Sequence, residues 1–353
     1  MRIVLDIGPI DSASTSAHKV RGVGKYITLL RDNLQKFDNK NTYVFSSNPE
    51  SEKNVDLIHY PYFDPFFLTL PIFKRKRSLV TVHDLIPLTH KKQFPVGVKG
   101  EIRWKLNKSR LNQVDGIITD SFASKDAIHR ITGISEKKIF PVYLSVDQEF
   151  RKLEHGNWKV ELVKKYNLPE KFVVYVGDVT WNKNLPNIVK ASKEAGVSLV
   201  MVGKAVGEDL FDFKSPWNAS RKIVLEETYQ NPLFIKAGFV PTEDLVGIYN
   251  LASALIMPSF DEGFGLPVLE AMKSGCPVIT SNCGSLPEVA GDAALYVDPE
   301  DQRSIATAIN EVVDSRELRE ELKTKGTSQA EKFSIEKMIK DTISVYQSLN
   351  HEK

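Results

Sequence analysis

The 353-residue sequence contains little of what marks several protein classes. Two cysteines, Cys276 and Cys283, are too few for a disulfide framework or a four-cysteine zinc site and suit a reducing compartment. No apolar run approaches the length of about 18 residues that a membrane span requires. The start MRIVLDIG predicts a strand rather than a signal peptide, because Asp6 interrupts its short apolar run. These absences favour a soluble globular protein in the cytoplasm.

Two binding patterns are also missing. No two aspartates lie two residues apart, so the Asp-x-Asp pair that bridges a metal to a diphosphate is absent, and neither an essential metal nor a cofactor is expected. Gly22-Val23-Gly24 lacks the third glycine of a dinucleotide fingerprint and is followed by Lys25. This departure argues against a nicotinamide oxidoreductase.

The formal net charge of +2 is spread unevenly along the chain. Residues 74–110 hold eleven Lys or Arg and two acids, which leaves 36 basic and 43 acidic residues elsewhere. The segment FFLTLPIFKRKR, residues 66–77, joins apolar residues to four consecutive cations. Two interpretations stay open: a solvated edge loop, or a patch for anionic membrane lipid or a phosphorylated carrier. No nucleic-acid partner is expected.

Short apolar runs alternate with helical patterns through most of the chain, and the alternation restarts near residue 168 after a polar stretch. Continuous apolar strands separated by helices indicate parallel sheets covered on both faces. We therefore expect an α/β protein with two doubly wound, Rossmann-like domains facing a cleft. The predicted boundaries are 1–160 for the first domain, 161–333 for the second and 334–353 for a final helix.

The stretch DEGFGLPVLEAM, residues 261–272, carries two glutamates, Glu262 and Glu270. Pro267 suits the first helical position, so Glu262 lies in the loop after strand ALIMPS and Glu270 in the first turns of a helix. Ligands of open α/β sheets bind at the carboxyl ends of strands. Amides of Gly263 and Gly265 can approach phosphate, and carboxylates can accept from sugar or ribose hydroxyls. The pattern suggests a nucleotide-sugar site, unless Glu270 only complements the helix dipole and Glu262 is solvated.

Two further candidates follow predicted strands. His83 ends the strand VTVHDL, where a core histidine bonded to backbone is the simpler interpretation. Lys183 follows the strand FVVYVG at a helix start, where most lysines are surface residues.

Six segments in order resemble the retaining glycosyltransferases of family 4, which have the GT-B fold. They are RGVGKY, TVHDLIPL, YVGDVTWNKNL, GFVPTEDLVGIYNLASALIMPS, EGFGLPVLEAM with GCPVITSN, and LPEVAGDAALYVDP. The likeness covers nearly the whole chain. It implies that residues 1–160 form an acceptor-binding domain and residues 161–333 a nucleotide-sugar-binding domain, with the helix 334–353 packing back on the first.

This resemblance implies roles for four side chains. Glu262 would contact donor-sugar hydroxyls and stabilise positive charge at the anomeric carbon. Glu270 would bind the ribose hydroxyls, and Lys183 would neutralise the diphosphate. His83 would hydrogen-bond the donor sugar or the acceptor.

The resemblance also implies backbone and loop contacts with the donor. The amides of Gly22 and Gly24 would cap the β-phosphate. The remaining donor-binding residues would be Gly263, Phe264, Gly265, Leu266 and Val240. Many relatives carry an arginine between the strand glycine and the lysine, but Gly177 to Lys183 contains none. Lys183, backbone amides and Arg21 or Lys25 would have to balance the diphosphate instead.

The resemblance therefore implies a metal-independent enzyme that transfers a hexose to an acceptor hydroxyl with retention. Mannose from GDP-mannose is the leading choice of donor. A glycan or lipid-linked acceptor in cell-surface polysaccharide or glycolipid synthesis is expected, with the protein cytoplasmic or peripheral on the inner membrane face. The alternatives are a UDP-hexose or UDP-HexNAc transferase, a phosphorylase or sucrose-synthase-type enzyme, and a non-catalytic nucleotide-sugar-binding subunit.

Overall fold

A computed structural model describes residues 1–11, 22–71, 75–154, 156–208 and 211–351. It divides into two compact units. Unit 1 comprises Met1–Lys91, Val96–Ser145 and Phe333–Lys353, and unit 2 comprises Lys92–Pro95 and Val146–Lys332.

The chain passes into unit 2 after Ser145, whereas the sequence placed the boundary after residue 160. The polar stretch that follows belongs to unit 2 because it is anchored there. The ring of Phe150 packs 6.3 Å from that of Tyr249, and the amide of Leu153 donates to Asn250 Oδ1 over 2.8 Å.

Unit 1 is built on a six-stranded parallel sheet in the order β2-β1-β3-β4-β5-β6. Its strands are β1 (Arg2–Asp6), β2 (Thr42–Ser46), β3 (Leu57–Tyr60), β4 (Ser78–Thr81), β5 (Gly116–Thr119) and β6 (Ile139–Pro141). Its first helices are α1 (Gly22–Phe37), α2 (Ile86–Thr89), α3 (Gly97–Leu111) and α4 (Phe122–Thr132). Every residue of β3, β4 and β5 is buried, as expected for central parallel strands covered on both faces.

Unit 2 has a second parallel sheet in the order β12-β11-β10-β7-β8-β9. Its strands are β7 (Phe172–Val176), β8 (Ser198–Val202), β9 (Phe234–Gly238), β10 (Ala254–Met257), β11 (Val278–Ser281) and β12 (Leu295–Val297). Its helices are α5 (Trp158–Tyr166), α6 (Leu185–Ala195), α7 (Ala219–Thr228), α8 (Thr242–Leu251), α9 (Leu266–Lys273), α10 (Leu286–Ala290), α11 (Gln302–Asp314) and α12 (Arg316–Ala330). The predicted class, α/β with two doubly wound parallel sheets, is confirmed.

The strand order of unit 2 contains a topological switch point. Strands β7, β8 and β9 extend the sheet in one direction, and β10, β11 and β12 extend it in the other. The chain therefore leaves the neighbouring strands β7 and β10 in opposite directions, and a crevice remains at the carboxyl ends of these two strands.

The last helix, α13 (Ile335–His351), belongs to unit 1 and packs beside α1. Its fully buried Tyr346 hydroxyl is hydrogen-bonded to His59 Nδ1 over 2.8 Å, and His59 Nε2 is hydrogen-bonded to Thr81 Oγ1 over 2.8 Å. Thr81 Oγ1 also lies 3.1 Å from the hydroxyl of Tyr26 on α1. This buried network joins β3 and β4 to both helices. Among the described helices, none is long and apolar enough to span a bilayer.

Burial of His59, with a smaller contribution from the nearby charge of His83, lowers its pKa to about 3. The unfolded chain would take up a proton at this residue below about pH 6.5, but the folded chain would not. Stability from this source is therefore complete above pH 6.5 and is lost as the pH falls towards 3, by about 1.4 kcal/mol for each pH unit. We expect His59→Gln to flatten this pH dependence in thermal unfolding. His129→Gln, at a side chain that is 45% exposed, is the control. An unchanged profile in His59→Gln would contradict the assignment.

Candidate functional site

The switch point of unit 2 brings Lys183 and Glu262 together. Lys183 ends a short 3-10 turn, Trp181–Lys183, in the loop after β7. Glu262 lies in the loop between β10 and α9. Because β7 and β10 are adjacent and parallel, both loops leave the same edge of the sheet.

The two side chains form a two-pronged ion pair. Lys183 Nζ donates to Glu262 Oε1 over 2.8 Å and to Oε2 over 2.7 Å. Ser259 Oγ also donates to Glu262 Oε1, over 2.7 Å. The Glu262 side chain is only 6% exposed, whereas that of Lys183 is 20% exposed. A buried carboxylate is thus neutralised by a cation that still reaches solvent.

Backbone and ring contacts fix the spacing of these loops. Asn182 Nδ2 donates to the carbonyl of Asp261 over 3.1 Å, and the amide of Phe260 donates to the carbonyl of Asn182 over 2.8 Å. The rings of Trp181 and Phe260 stack with centroids 4.7 Å apart. Phe94, in the short Lys92–Pro95 segment of unit 2, meets Trp181 edge-on at 6.2 Å. Lys183 and Glu262 are therefore held by their immediate chain neighbours.

A third loop, after β11, supports Glu262 from its backbone side. Ser285 Oγ donates to the Glu262 carbonyl over 3.0 Å. Gly284 has φ +55°, and a Cβ there would lie 2.6 Å from Asp261 Oδ1 and 2.8 Å from the Glu262 amide nitrogen. A side chain at Gly284 would displace the loop that carries Glu262. Ser259, Gly284 and Ser285 were not predicted from the sequence, although GCPVITSN, residues 275–282, leads into the loop after the neighbouring strand.

Glu270 lies on α9 and accepts a hydrogen bond from the Tyr249 hydroxyl at Oε2, over 3.1 Å. Helix α9 begins at Leu266, one residue earlier than the start expected at Pro267. Gly265 precedes it with φ +99°, a conformation that favours glycine. Glu262 and Glu270 thus flank the amino terminus of α9.

The other donor contacts that were predicted in unit 2 lie near the carboxyl-terminal edge of its sheet. Gly263, Phe264 and Gly265 are buried in the loop after β10, and Leu266 opens α9. Val240, 7% exposed, follows β9. The positions agree with a shared ligand edge, and the roles of these residues stay predictions.

In unit 1, Gly22 and Gly24 lie in the first turn of α1, where helix amides lack intrahelical partners. Gly22 is exposed and Gly24 is buried. Arg21, one of the cations considered for the diphosphate, falls outside the described residues.

His83, just after β4, is paired with Asp120, just after β5. Its Nδ1 lies 2.8 Å from Asp120 Oδ2 and 3.1 Å from Oδ1. Burial opposes protonation, but the charge and hydrogen bond of Asp120 outweigh it and raise the pKa of His83 above its ordinary value. Nε2 of His83 is buried and has no partner with full hydrogen-bond geometry among the described residues, although the backbone of Pro61 also contributes to the raised pKa. Asp120 was not predicted from the sequence, where its signal is a carboxylate directly after the strand GIIT.

The basic segment of residues 66–77 is partly engaged within unit 1. Lys76 Nζ donates to the carbonyls of Glu50 and Glu52, over 3.0 and 2.6 Å. Arg77 Nη1 donates to the carbonyl of Leu349 over 2.8 Å. Ile72, Phe73 and Lys74 lie outside the described residues. Two of the four consecutive cations therefore have backbone partners, and lipid contact at residues 74–77 stays a prediction.

Within the described ranges, no three side chains of His, Cys, Asp or Glu form a cluster able to hold a metal ion. Independence from metal stays a prediction.

Family comparisons point to one group of enzymes. The family described as Glycosyl transferases group 1 matches residues 159–329, and Glycosyltransferase Family 4 matches residues 20–150. The first match contains Lys183, Glu262 and Glu270, and the second contains His83 and Asp120.

Several similar proteins are mannosyltransferases. The O-antigen chain mannosyltransferase B of Escherichia coli is 30% identical over 304 residues, which cover 83% of this chain and 76% of that protein. The serotype-specific mannosyltransferase WbdA of Escherichia coli is 28% identical over 268 residues. That match covers 73% of this chain but only 32% of WbdA, so the chain spans about a third of that protein's length.

Solved structures share the fold over the full chain. Anabaena Alr3699/HepE, crystallised with UDP-glucose, has a TM-score of 0.71 at 16% identity and covers 99% of both chains. Sucrose-phosphate synthase from Thermosynechococcus elongatus has a TM-score of 0.69 at 18% identity, covering 100% of this chain and 99% of that one. These likenesses confirm the two-domain α/β architecture of the GT-B type.

Proposed function

The chain belongs to the family 4 glycosyltransferases of the group 1 type, and on this premise we propose that it transfers mannose from GDP-mannose to an acceptor hydroxyl with retention. The similarity to O-antigen mannosyltransferases supports the sugar and favours a glycan or lipid-linked acceptor in surface polysaccharide or glycolipid synthesis. A cytoplasmic protein that contacts the inner membrane face peripherally would suit such an acceptor. The observation that carries the proposal is the Lys183–Glu262 pair at the switch point of unit 2.

Lys183 is proposed to offset the charge of the donor diphosphate. Its ammonium group is held by a carboxylate that is nearly out of solvent, while the lysine itself remains partly exposed. A phosphate oxygen can approach from the solvent side without displacing the lysine from Glu262. Fixed charge of this kind stabilises a leaving group because it needs no rearrangement during the reaction.

Glu262 is proposed to accept hydrogen bonds from donor-sugar hydroxyls and to stabilise positive charge at the anomeric carbon. Ser259 and Lys183 fix the direction of its two oxygens. Glu270 is proposed to bind the ribose hydroxyls, with its Oε2 already oriented by Tyr249.

Retention is proposed to occur by attack on the face from which the phosphate leaves. The bond between the anomeric carbon and the diphosphate oxygen breaks, and the acceptor oxygen forms the new bond. The departing phosphate takes the acceptor proton, so no protein nucleophile is required. In unit 1, Asp120 would hold His83 with Nδ1 protonated, leaving Nε2 to hydrogen-bond a donor or acceptor hydroxyl.

The donor assignment is tested with a panel of GDP, UDP and ADP sugars. We expect GDP-mannose to raise the thermal unfolding midpoint most, since a ligand that binds the native state stabilises it. The enzyme should also release GDP slowly from GDP-mannose when no acceptor is present, and excess EDTA should leave this rate unchanged. Activity abolished by EDTA and restored by magnesium or manganese would refute metal independence.

The same panel separates the alternatives. A larger shift with UDP-glucose or a UDP-HexNAc would identify that nucleotide sugar as the donor in place of GDP-mannose. HepE, which shares the fold, was crystallised with UDP-glucose. Turnover that requires inorganic phosphate or a free sugar would indicate a phosphorylase or sucrose-synthase-type enzyme. Binding with neither transfer nor donor hydrolysis would indicate a non-catalytic subunit.

Glu262→Gln is expected to lower kcat by roughly tenfold to a thousandfold and to raise donor KM much less. The amide keeps the shape of the side chain but loses the charge that would stabilise the transition state. Glu320→Gln, on α12 at a side chain that is 59% exposed, is the matched control. An unchanged kcat in folded Glu262→Gln would remove this carboxylate from the mechanism.

Glu270→Ala is expected mainly to weaken nucleotide binding, because a ribose contact is present in both the ground state and the transition state. Calorimetry with free GDP measures the loss. Tyr249→Phe, which removes the hydroxyl that orients Glu270, should cause a smaller loss of the same kind. Equal affinity in Glu270→Ala and the parent would contradict the ribose assignment.

A further inference from the structure

Helix α3 has an apolar stripe on its solvent side as well as an apolar face towards the core. Gly100, Trp104 and Leu111 are buried in unit 1. Val98, Ile102 and Leu106 are instead 77%, 56% and 50% exposed. An ordinary surface helix is apolar on the core side only, so the exposed stripe is not explained by the folding of unit 1.

The stripe is continuous along the helix. Val98, Ile102 and Leu106 are spaced four residues apart, and at about 100° per residue they lie within one narrow sector of the helix surface. The same arithmetic places Trp104 roughly on the opposite side. The stripe therefore faces directly away from the core of unit 1.

A neighbouring loop adds two more exposed apolar side chains. Asn107, fully buried on α3, donates to the carbonyls of Asp64, Pro65 and Phe67 over 3.2, 3.0 and 2.8 Å. This attachment presents Phe67 and Leu68 at the surface, where they are 64% and 59% exposed. The guanidinium of Arg103 lies 5.9 Å from the ring centre of Phe67, which joins the loop to the helix surface.

Cations flank the stripe on both sides. Lys99, Arg103 and Lys105 are exposed, and helical geometry puts Lys105 on one side and the other two on the opposite side. The helix has a single acid, Glu101, whose carboxylate is paired with Lys91 over 3.1 Å. No ion pair within the described residues engages Lys99 or Lys105. The surface is thus apolar at its centre and positive along its edges.

We propose that this α3 surface, formed by Val98, Ile102, Leu106, Phe67 and Leu68 with Lys99, Arg103 and Lys105, binds the face of an anionic lipid bilayer. An apolar stripe with exposed cations on both sides suits insertion between acyl chains with the charges at the headgroups. A second copy of the chain fits worse, because a symmetric contact through this stripe would set cations against cations. The inference rests on the proposed function only in that a lipid-linked acceptor would place the enzyme at a membrane.

The test is flotation of the full chain with vesicles of phosphatidylcholine alone or mixed with an equal part of phosphatidylglycerol, at low and high salt. The parent should float with the anionic vesicles at low salt, and salt should weaken binding through screening. The double variant Ile102→Glu/Leu106→Glu should lower the bound-to-free ratio by roughly tenfold or more. Lys99→Gln/Lys105→Gln should weaken binding to anionic vesicles.

The matched control is Val160→Glu/Val163→Glu on α5 of unit 2, at positions that are 72% and 42% exposed. It should float like the parent. Every variant should keep the parent's thermal shift with GDP-mannose, so that loss of lipid binding is distinguished from failure of the donor assignment or of folding.

Two results would overturn the proposal. One is a parent protein that ignores anionic vesicles at low salt, or an Ile102→Glu/Leu106→Glu variant that still floats with them. The other is a parent dimer in light scattering that this variant converts to monomer without vesicle binding by either form, which would make the stripe a contact between copies.

Discussion

The neutralisation of the buried Glu262 carboxylate is the constraint on which unit 2 of this protein depends. An ionised carboxylate removed from water costs on the order of several kcal/mol unless a counter-charge and hydrogen bonds compensate it. Lys183 supplies the charge and Ser259 a hydrogen bond, while Ser285 holds the backbone of the same residue. These groups come from the loops after β7, β10 and β11. The pair of Lys183 and Glu262 therefore forms only because these strands are neighbours in the sheet. The loops in turn keep this arrangement because the pair neutralises the buried carboxylate.

Unit 1 uses buried polar groups in a comparable way. The hydrogen bonds among His59, Thr81, Tyr26 and Tyr346 lie where α1 and α13 meet the sheet. The carboxyl-terminal helix thus completes the core of the amino-terminal unit. His83 is next to this network, with its ring 5.1 Å from that of Tyr26. Burial lowers the pKa of His83, and Asp120 is the main group that raises it above its ordinary value. A single layer of buried polar contacts therefore both stabilises the unit and orients a candidate site residue.

The contacts made by the locally concentrated positive charges depend on where the fold places each cation. Within residues 66–77, Lys76 and Arg77 are directed to backbone carbonyls and serve the packing of unit 1. On α3, Lys108 and Arg110 likewise donate to the carbonyls of Ile131 and Leu70. Lys99 and Lys105 of the same helix are exposed and border a row of exposed apolar side chains. In both stretches some cations meet backbone carbonyls and others are exposed, and the fold decides which cation does which.

From the sequence alone, the class of fold could be predicted and positions for a candidate site could be named. Apolar runs alternating with helical patterns predicted both parallel sheets, and the order of six motifs predicted the family. Glu262, Glu270 and Lys183 could be singled out because each follows a strand, and ligands of such sheets gather at the carboxyl ends of strands. These features are local in the chain or repeat along it.

Which of these side chains meet depends on the tertiary structure. Lys183 and Glu262 are 79 residues apart and His83 and Asp120 are 37 apart, so their contacts depend on which strands are neighbours in the sheets. One sequence indicates that strands exist but does not state their order. For the same reason the contacts of Ser285, Asp120 and Lys76 could not be predicted, and the solvent stripe of α3 could not be told from a core face. The periodicity of that helix shows two apolar sectors, and only packing of Trp104 into unit 1 decides which of them faces water.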